Sequence, residues 1–147
     1  MLGSFAGLCL FVGILGNVFT QSSVDSWYPT LAKPSFTPPN WVFPVAWTVL
    51  YFAMAVAAWL VWRRGNAQGA LTLWGAQLAL NLLWSALFFG LRNPALAFAE
   101  IVVLWIAIAA TMTAFFLKSP AAGWLLVPYL AWVSYAALLN GSIWLMN

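Results

Sequence analysis

The chain has 147 residues, of which 65% are hydrophobic and 5% charged, with a formal net charge of +3 and no histidine. So few charges cannot cover a water-exposed surface, which excludes a soluble domain and points to an integral membrane protein. The cations Lys33, Arg63, Arg64, Arg92 and Lys118 are scattered over connecting segments, the pattern of topology markers and not of a nucleic-acid surface.

Crossing ~30 Å of hydrocarbon takes roughly 20 apolar residues in a helix. Five stretches meet that length: 2–21, 43–62, 70–91, 95–117 and 121–145. They predict an all-α integral membrane protein with five transmembrane helices in a single bundle, one domain over 1–147. The first stretch lacks the basic start and small-residue cleavage site of a signal peptide, and is expected to span.

Between the first two spans lies a loop, 22–42, whose segment WYPTLAKPSFTPPN carries four of the eight prolines. Loops of about 20 residues without secondary structure are uncommon unless functional. Proline stiffens this one and lowers the entropy lost on ordering it, so it is expected to form a semi-rigid lid over a cavity. The remaining breaks, at Arg63-Arg64-Gly65-Asn66, Arg92-Asn93-Pro94 and Lys118-Ser119-Pro120, are short and make successive helices antiparallel neighbours. Arg63, Arg64 and Lys118 share the side of the N-terminus against Lys33 and Arg92 on the lid side, which favours an N-terminus-inside orientation.

The eleven tryptophans sort by depth. Trp41, Trp59, Trp62, Trp74, Trp124 and Trp144 fall near span ends, where indoles anchor in the interface. Trp84, Trp105 and Trp132 lie inside spans. At ~1.5 Å per residue, Trp47, Trp84 and Trp132 sit ~6, ~10 and ~20 Å from the lid side and can line one cavity below it, although helix packing also accounts for each. Gln77, Asn81, Trp84, Ser85 and Phe88 share one stripe of the third helix. Amides in hydrocarbon face a cavity or a neighbouring helix. Asn81 is level with Tyr51, Tyr135 and Ala136 on this scale, giving a mixed aromatic and polar wall suited to a flat amphipathic ligand.

Glu100 is the one carboxylate inside a span, with two readings: a functional site, or a structural group that is paired or neutral. With no second carboxylate or base in the spans, acid–base hydrolysis lacks parts. Missing histidines remove the usual haem or zinc ligand, no metal-binding cluster or phosphate loop is present, and lone Cys9 excludes an internal disulfide. Gly75 and Ala79 form a small-x-x-x-small pair on the third helix, a candidate homodimer face.

The segments WYPTLAKPSFTPPNWVFPVAWTVLYF, QLALNLLWSALFFGLRNPALAFAE and VPYLAWVSYAALLN resemble the TspO/MBR family, the translocator and tryptophan-rich sensory proteins, over nearly the whole chain. The resemblance implies five transmembrane helices, a homodimer and a bacterial cell membrane or outer membrane. It also implies binding of porphyrins (protoporphyrin IX, haem) and other hydrophobic molecules such as cholesterol and benzodiazepine-type drugs, with no cofactor required. The family's pocket residues correspond to Trp47, Asn81, Trp84, Trp132, Ala136 and Leu139, with Tyr28, Pro39 and Trp41 from the lid; Tyr51 joins them from the depth argument. The resemblance gives Trp47 and Trp132 a catalytic role if light-dependent porphyrin degradation occurs. The expected function is a membrane receptor, sensor or carrier; the alternatives are that degradation, and facilitated transfer along the protein–lipid boundary. Gly141 stands where the family's sterol motif has Tyr, and no cation follows Lys118, so sterol binding through that motif is not expected.

Overall fold

A computed structural model describes residues 2–24, 27–39 and 41–147. It is a bundle of five helices: α1 (Leu2–Val24), α2 (Val42–Arg63), α3 (Gln68–Ser85), α4 (Pro94–Lys118) and α5 (Pro120–Met146). Mean hydropathy and length qualify α2, α3 with its extension, α4 and α5 as membrane spans; in α1 the apolar stretch is Leu2–Val18. That stretch reaches the lower limit of ~17 residues for crossing.

Four helices bury one stripe at three- and four-residue spacing: Leu50, Met54, Ala57 and Val61 on α2, for example, and Ala97, Ile101, Leu104, Ile108, Thr111 and Phe115 on α4. Lipid is as apolar as these side chains, so close packing and not water exclusion holds them together, and small residues such as Ala57, Ala58, Ala97 and Ala122 let the backbones approach. The contacts run α1–α2–α5–α4–α3 and back to α1 as a closed ring. At Gly141 an added Cβ would lie 2.9 Å from the Phe98 ring, which stacks on Trp144 at 5.8 Å. Glycine is what seats that ring between α4 and α5.

Helix ends follow local chemistry. Pro94 and Pro120 occupy first turns, where the missing N–H costs nothing. Asn93 caps α4 by accepting from Leu96 N at 3.1 Å. Gly65 (φ 76°), Asn66 (φ 50°) and Arg92 (φ 54°) turn the chain in the left-handed region. Two boundaries depart from expectation. α1 continues three residues past 21 to Val24, and α3 ends its regular turns at Ser85 and passes into a π-helical turn, Ala86–Gly90. There the Leu91 N–H bonds to Ala86 O at 2.8 Å, five residues back.

The proline-rich loop is strapped to α5. The Asn147 side chain accepts from Ala32 N (3.1 Å) and donates to Ala32 O (2.9 Å), and Tyr135 Oη donates to Phe36 O. Lys33 Nζ donates to Tyr28 O (2.9 Å) and Leu31 O (3.1 Å) and lies 4.8 Å from the Tyr28 ring centre. The ring itself is buried among Phe43, Phe88 and Phe89.

Candidate functional site

A cavity of about 800 Å³ lies between α1 and α2, with α3 as its floor. From α2 come Trp47, Thr48, Tyr51 and Phe52, with Trp41 just before it; from α1, Cys9, Gly13, Gly16 and Asn17; from α3, Trp84 and Ser85. Among these described lining residues none is charged. Leu10, Ile14 and Val18 of α1, Trp41 at the start of α2 and Phe52 within it are each more than half exposed along its edge, so its mouth faces the acyl chains. Gly13 sets the width: an added Cβ would meet the Tyr51 ring at 3.3 Å. The aromatic wall is ordered by ring contacts, with Trp47 stacked on Tyr51 at 5.7 Å and Trp84 on Phe88 at 5.4 Å.

Behind Tyr51 a hydrogen-bonded chain crosses the bundle. Tyr51 Oη donates to Asn81 Oδ1 (2.7 Å), Asn81 Nδ2 donates to Tyr129 Oη (2.8 Å), and Tyr129 Oη donates to Gln77 Oε1 (2.7 Å). Gln77 Nε2 ends it on Met54 Sδ at 3.7 Å. Buried amides and phenols in hydrocarbon must find partners, and these find one another across α2, α3 and α5. A second link joins Trp84 Nε1 to Asn140 Oδ1 (3.0 Å) and Asn140 Nδ2 to Pro94 O (2.8 Å).

Of the expected ligand-binding residues, Trp41, Trp47, Tyr51 and Trp84 line the cavity together. Tyr28, Ala136 and Leu139 do not; with Trp84 they border a void of about 10 Å³ on the α5 side of the bundle. Asn81 is fully committed to the polar chain. Trp132 lies behind Trp47, rings 6.3 Å apart, and its buried Nε1 has no hydrogen-bond partner. Pro39 is exposed and its carbonyl accepts from Val42 N at 3.0 Å, where it shapes the start of α2. Trp41 lines the cavity from the end of the loop, whereas none of residues 27–39 does; that stretch is bonded to α5 instead. The whole α1 wall escaped the sequence reading; its signal was Gly13, Gly16 and Asn17 clustered in one apolar span.

Glu100 is buried on α4 at 9% exposure, and neither carboxyl oxygen has a hydrogen-bond partner. It lies outside the cavity wall. Among the described residues, no three of the types that bind metals come together.

Comparison with known proteins places this architecture. The chain matches the TspO/MBR family over residues 5–145. It is similar to the tryptophan-rich protein TspO of Chlorobaculum tepidum, 46% identical over 96% of this chain and 92% of that one. The tryptophan-rich sensory protein of Cereibacter sphaeroides is 49% identical over 79% of this chain and 73% of its own. The translocator protein of Homo sapiens is 39% identical, covering 90% and 82%. With its five-helix membrane bundle and a match across nearly its full length, this multi-pass membrane protein belongs to the TspO/MBR family.

Proposed function

We propose that this protein is a membrane receptor, sensor or carrier that binds porphyrins and other flat hydrophobic molecules between α1 and α2, in tetrapyrrole regulation or transport. The observation that carries the reading is the wall formed by Trp41, Trp47, Tyr51 and Trp84 around about 800 Å³. That volume falls in the ~300–1,000 Å³ range of small-molecule sites, and flat rings stack well on indole and phenol faces. A mouth toward the acyl chains suits a ligand that arrives dissolved in the bilayer. Neither Cys9 nor Ser85 has a charged or basic residue beside it on the described wall, which favours binding over nucleophilic catalysis. Tetrapyrroles are the ligand and not a required cofactor, held by stacking without an axial histidine.

The same reading includes a homodimer through α3. Ala79 is exposed, and an added Cβ on Gly75 would meet no atom within 4 Å, so that helix face is open to close approach by a second copy.

Quenching of tryptophan emission by protoporphyrin IX and haem tests the binding reading. Both quench with comparable affinity, and Trp47→Ala or Trp84→Ala weakens binding by ~1–3 kcal/mol per lost stack. A large preference for haem, or affinity indifferent to both substitutions, contradicts it. Illuminating the complex adds a control: bleaching lost in Trp47→Phe and Trp132→Phe with binding retained would assign indole photochemistry instead.

A further inference from the structure

We infer that Asn17 and Ser85 form a hydrogen-bonding corner of the cavity that recognises a carbonyl or carboxyl group on the edge of a planar ligand. This rests on the cavity being the ligand site. Both side chains line it, one from α1 and one from α3.

Most hydroxyls on this wall are already hydrogen-bonded within the bundle. Tyr51 gives its proton to Asn81. Thr20 and Thr48 give theirs to the carbonyls four residues back, at 2.9 and 2.7 Å. Thr72, Thr111, Thr113 and Ser134 do the same elsewhere in the bundle. That back-bond is how a helical hydroxyl satisfies itself in hydrocarbon. Ser85 departs from it: among the described residues its hydroxyl has no hydrogen-bond partner, although the residue as a whole is buried at 8% exposure. The Asn17 amide likewise has no partner among the described residues, and it is exposed on the cavity wall. An unsatisfied amide or hydroxyl at membrane depth is costly, and the occupant of the cavity is the partner both can reach.

Two local features keep the corner open. Gly16 leaves space over the hydroxyl: a Cβ built there lies 3.6 Å from Ser85 Oγ, in ordinary contact. Immediately after Ser85 the helix turns π-helical over Ala86–Gly90, a local rearrangement that recurs at functional sites. Asn17 and Ser85 both bring donors, whereas the three committed hydroxyls of Tyr51, Thr48 and Thr20 offer only lone pairs. Besides the indole N–H groups of Trp41 and Trp47, the corner is where the wall can donate, and an acceptor oxygen on the ligand is what it selects.

Two neutral tetrapyrroles with the same ring test this: protoporphyrin IX dimethyl ester, which carries ester carbonyls, and etioporphyrin, which carries only alkyl groups. Their affinities are read by tryptophan quenching in detergent micelles for the wild type, Asn17→Leu, Ser85→Ala and Gly16→Ala. The expected result is about fivefold weaker binding of the ester in each variant, one neutral hydrogen bond, with etioporphyrin unchanged. Gly16→Ala removes no polar group and covers the hydroxyl, so it separates recognition from loss of a fold contact. Equal weakening of both probes, or of neither, overturns the inference while leaving the cavity as a binding site. Failure of the wild type to bind either probe overturns both. Repeating the titrations in phosphatidylcholine nanodiscs identifies the oxygen's source: loss of the discrimination there assigns the corner to a lipid ester and overturns the inference.

Discussion

Asn81 offers the sharpest perturbation of the fold. It accepts from Tyr51 and donates to Tyr129, joining α2, α3 and α5 through one side chain. Asn81→Leu keeps the branched shape and heavy-atom count of the side chain and removes both bonds. Polar links between membrane helices are worth ~0.6 kcal/mol on average and up to ~1.7, so two give about 1–3 kcal/mol. To that is added the cost of Tyr51 losing its acceptor, partly offset because its hydroxyl can turn into the cavity. Tyr129 retains Gln77 Oε1 and is left less exposed to penalty. Tyr51→Phe alone removes one bond and leaves Asn81 Oδ1 unpaired, about 1 kcal/mol. The assay is reversible unfolding in mixed micelles, arranged as a double-mutant cycle. Asn81→Leu and Tyr51→Phe should be coupled, the double variant losing less than the sum by ~0.5–1 kcal/mol. Strict additivity, or an Asn81→Leu variant as stable as the wild type, would refute the claim that this chain of side chains holds the three helices in register.

Other outcomes follow from individual groups. The Tyr28 hydroxyl is buried without a partner, and burial first, then the neighbouring Tyr135, pushes its pKa from 10.0 up to about 12. The fold holds the neutral phenol, so its stability contribution is complete below pH 10 and drains away as pH rises toward 12; Tyr28→Phe should flatten that alkaline loss in melting temperature measured from pH 9 to 12. Glu100→Gln keeps the shape and removes an unpaired buried carboxyl, so its melting temperature should match or exceed the wild type's, whereas Glu100→Lys should fail to fold; a Gln variant destabilised by more than ~1 kcal/mol would mean that the carboxyl has a partner. Gly141→Tyr restores the aromatic of the sterol motif but drives a side chain into Phe98, so it should lose ~1–3 kcal/mol of stability and gain no sterol affinity in a cholesterol-binding titration.

Much of this bundle was legible because a membrane span is a compositional object: about 20 apolar residues between polar breaks can hardly be anything else. Boundaries were less so. Ser22, Ser23 and Val24 read as loop, yet α1 runs through them. The π-helical turn after Ser85 leaves no mark in the sequence. Counting depth from helix ends brought Trp47, Tyr51 and Trp84 to one cavity but put Trp132 about 14 Å deeper than Trp47. α5 rises beyond the start of α2 to meet Ala32 through Asn147, so equal depths are not equal distances from helix ends, and the two indoles sit 6.3 Å apart. Asn81 was correctly placed near Tyr51, but whether an amide serves a ligand or its neighbours depends on partners from α2 and α5 that no single helix reveals. The strap between loop and α5 is tertiary in the same way, since Asn147 and Ala32 are 115 residues apart.

The central claim is that a planar ligand occupies the space between α1 and α2, and Cys9 tests it most directly. It is the single cysteine, buried in the fold, and it lies on the cavity wall. The rate of its modification by methyl methanethiosulfonate, followed by mass spectrometry with and without saturating protoporphyrin IX, reports on that space alone. Several-fold protection by the porphyrin is the predicted result. An unchanged rate while the porphyrin still quenches tryptophan emission would place the ligand elsewhere and contradict the account.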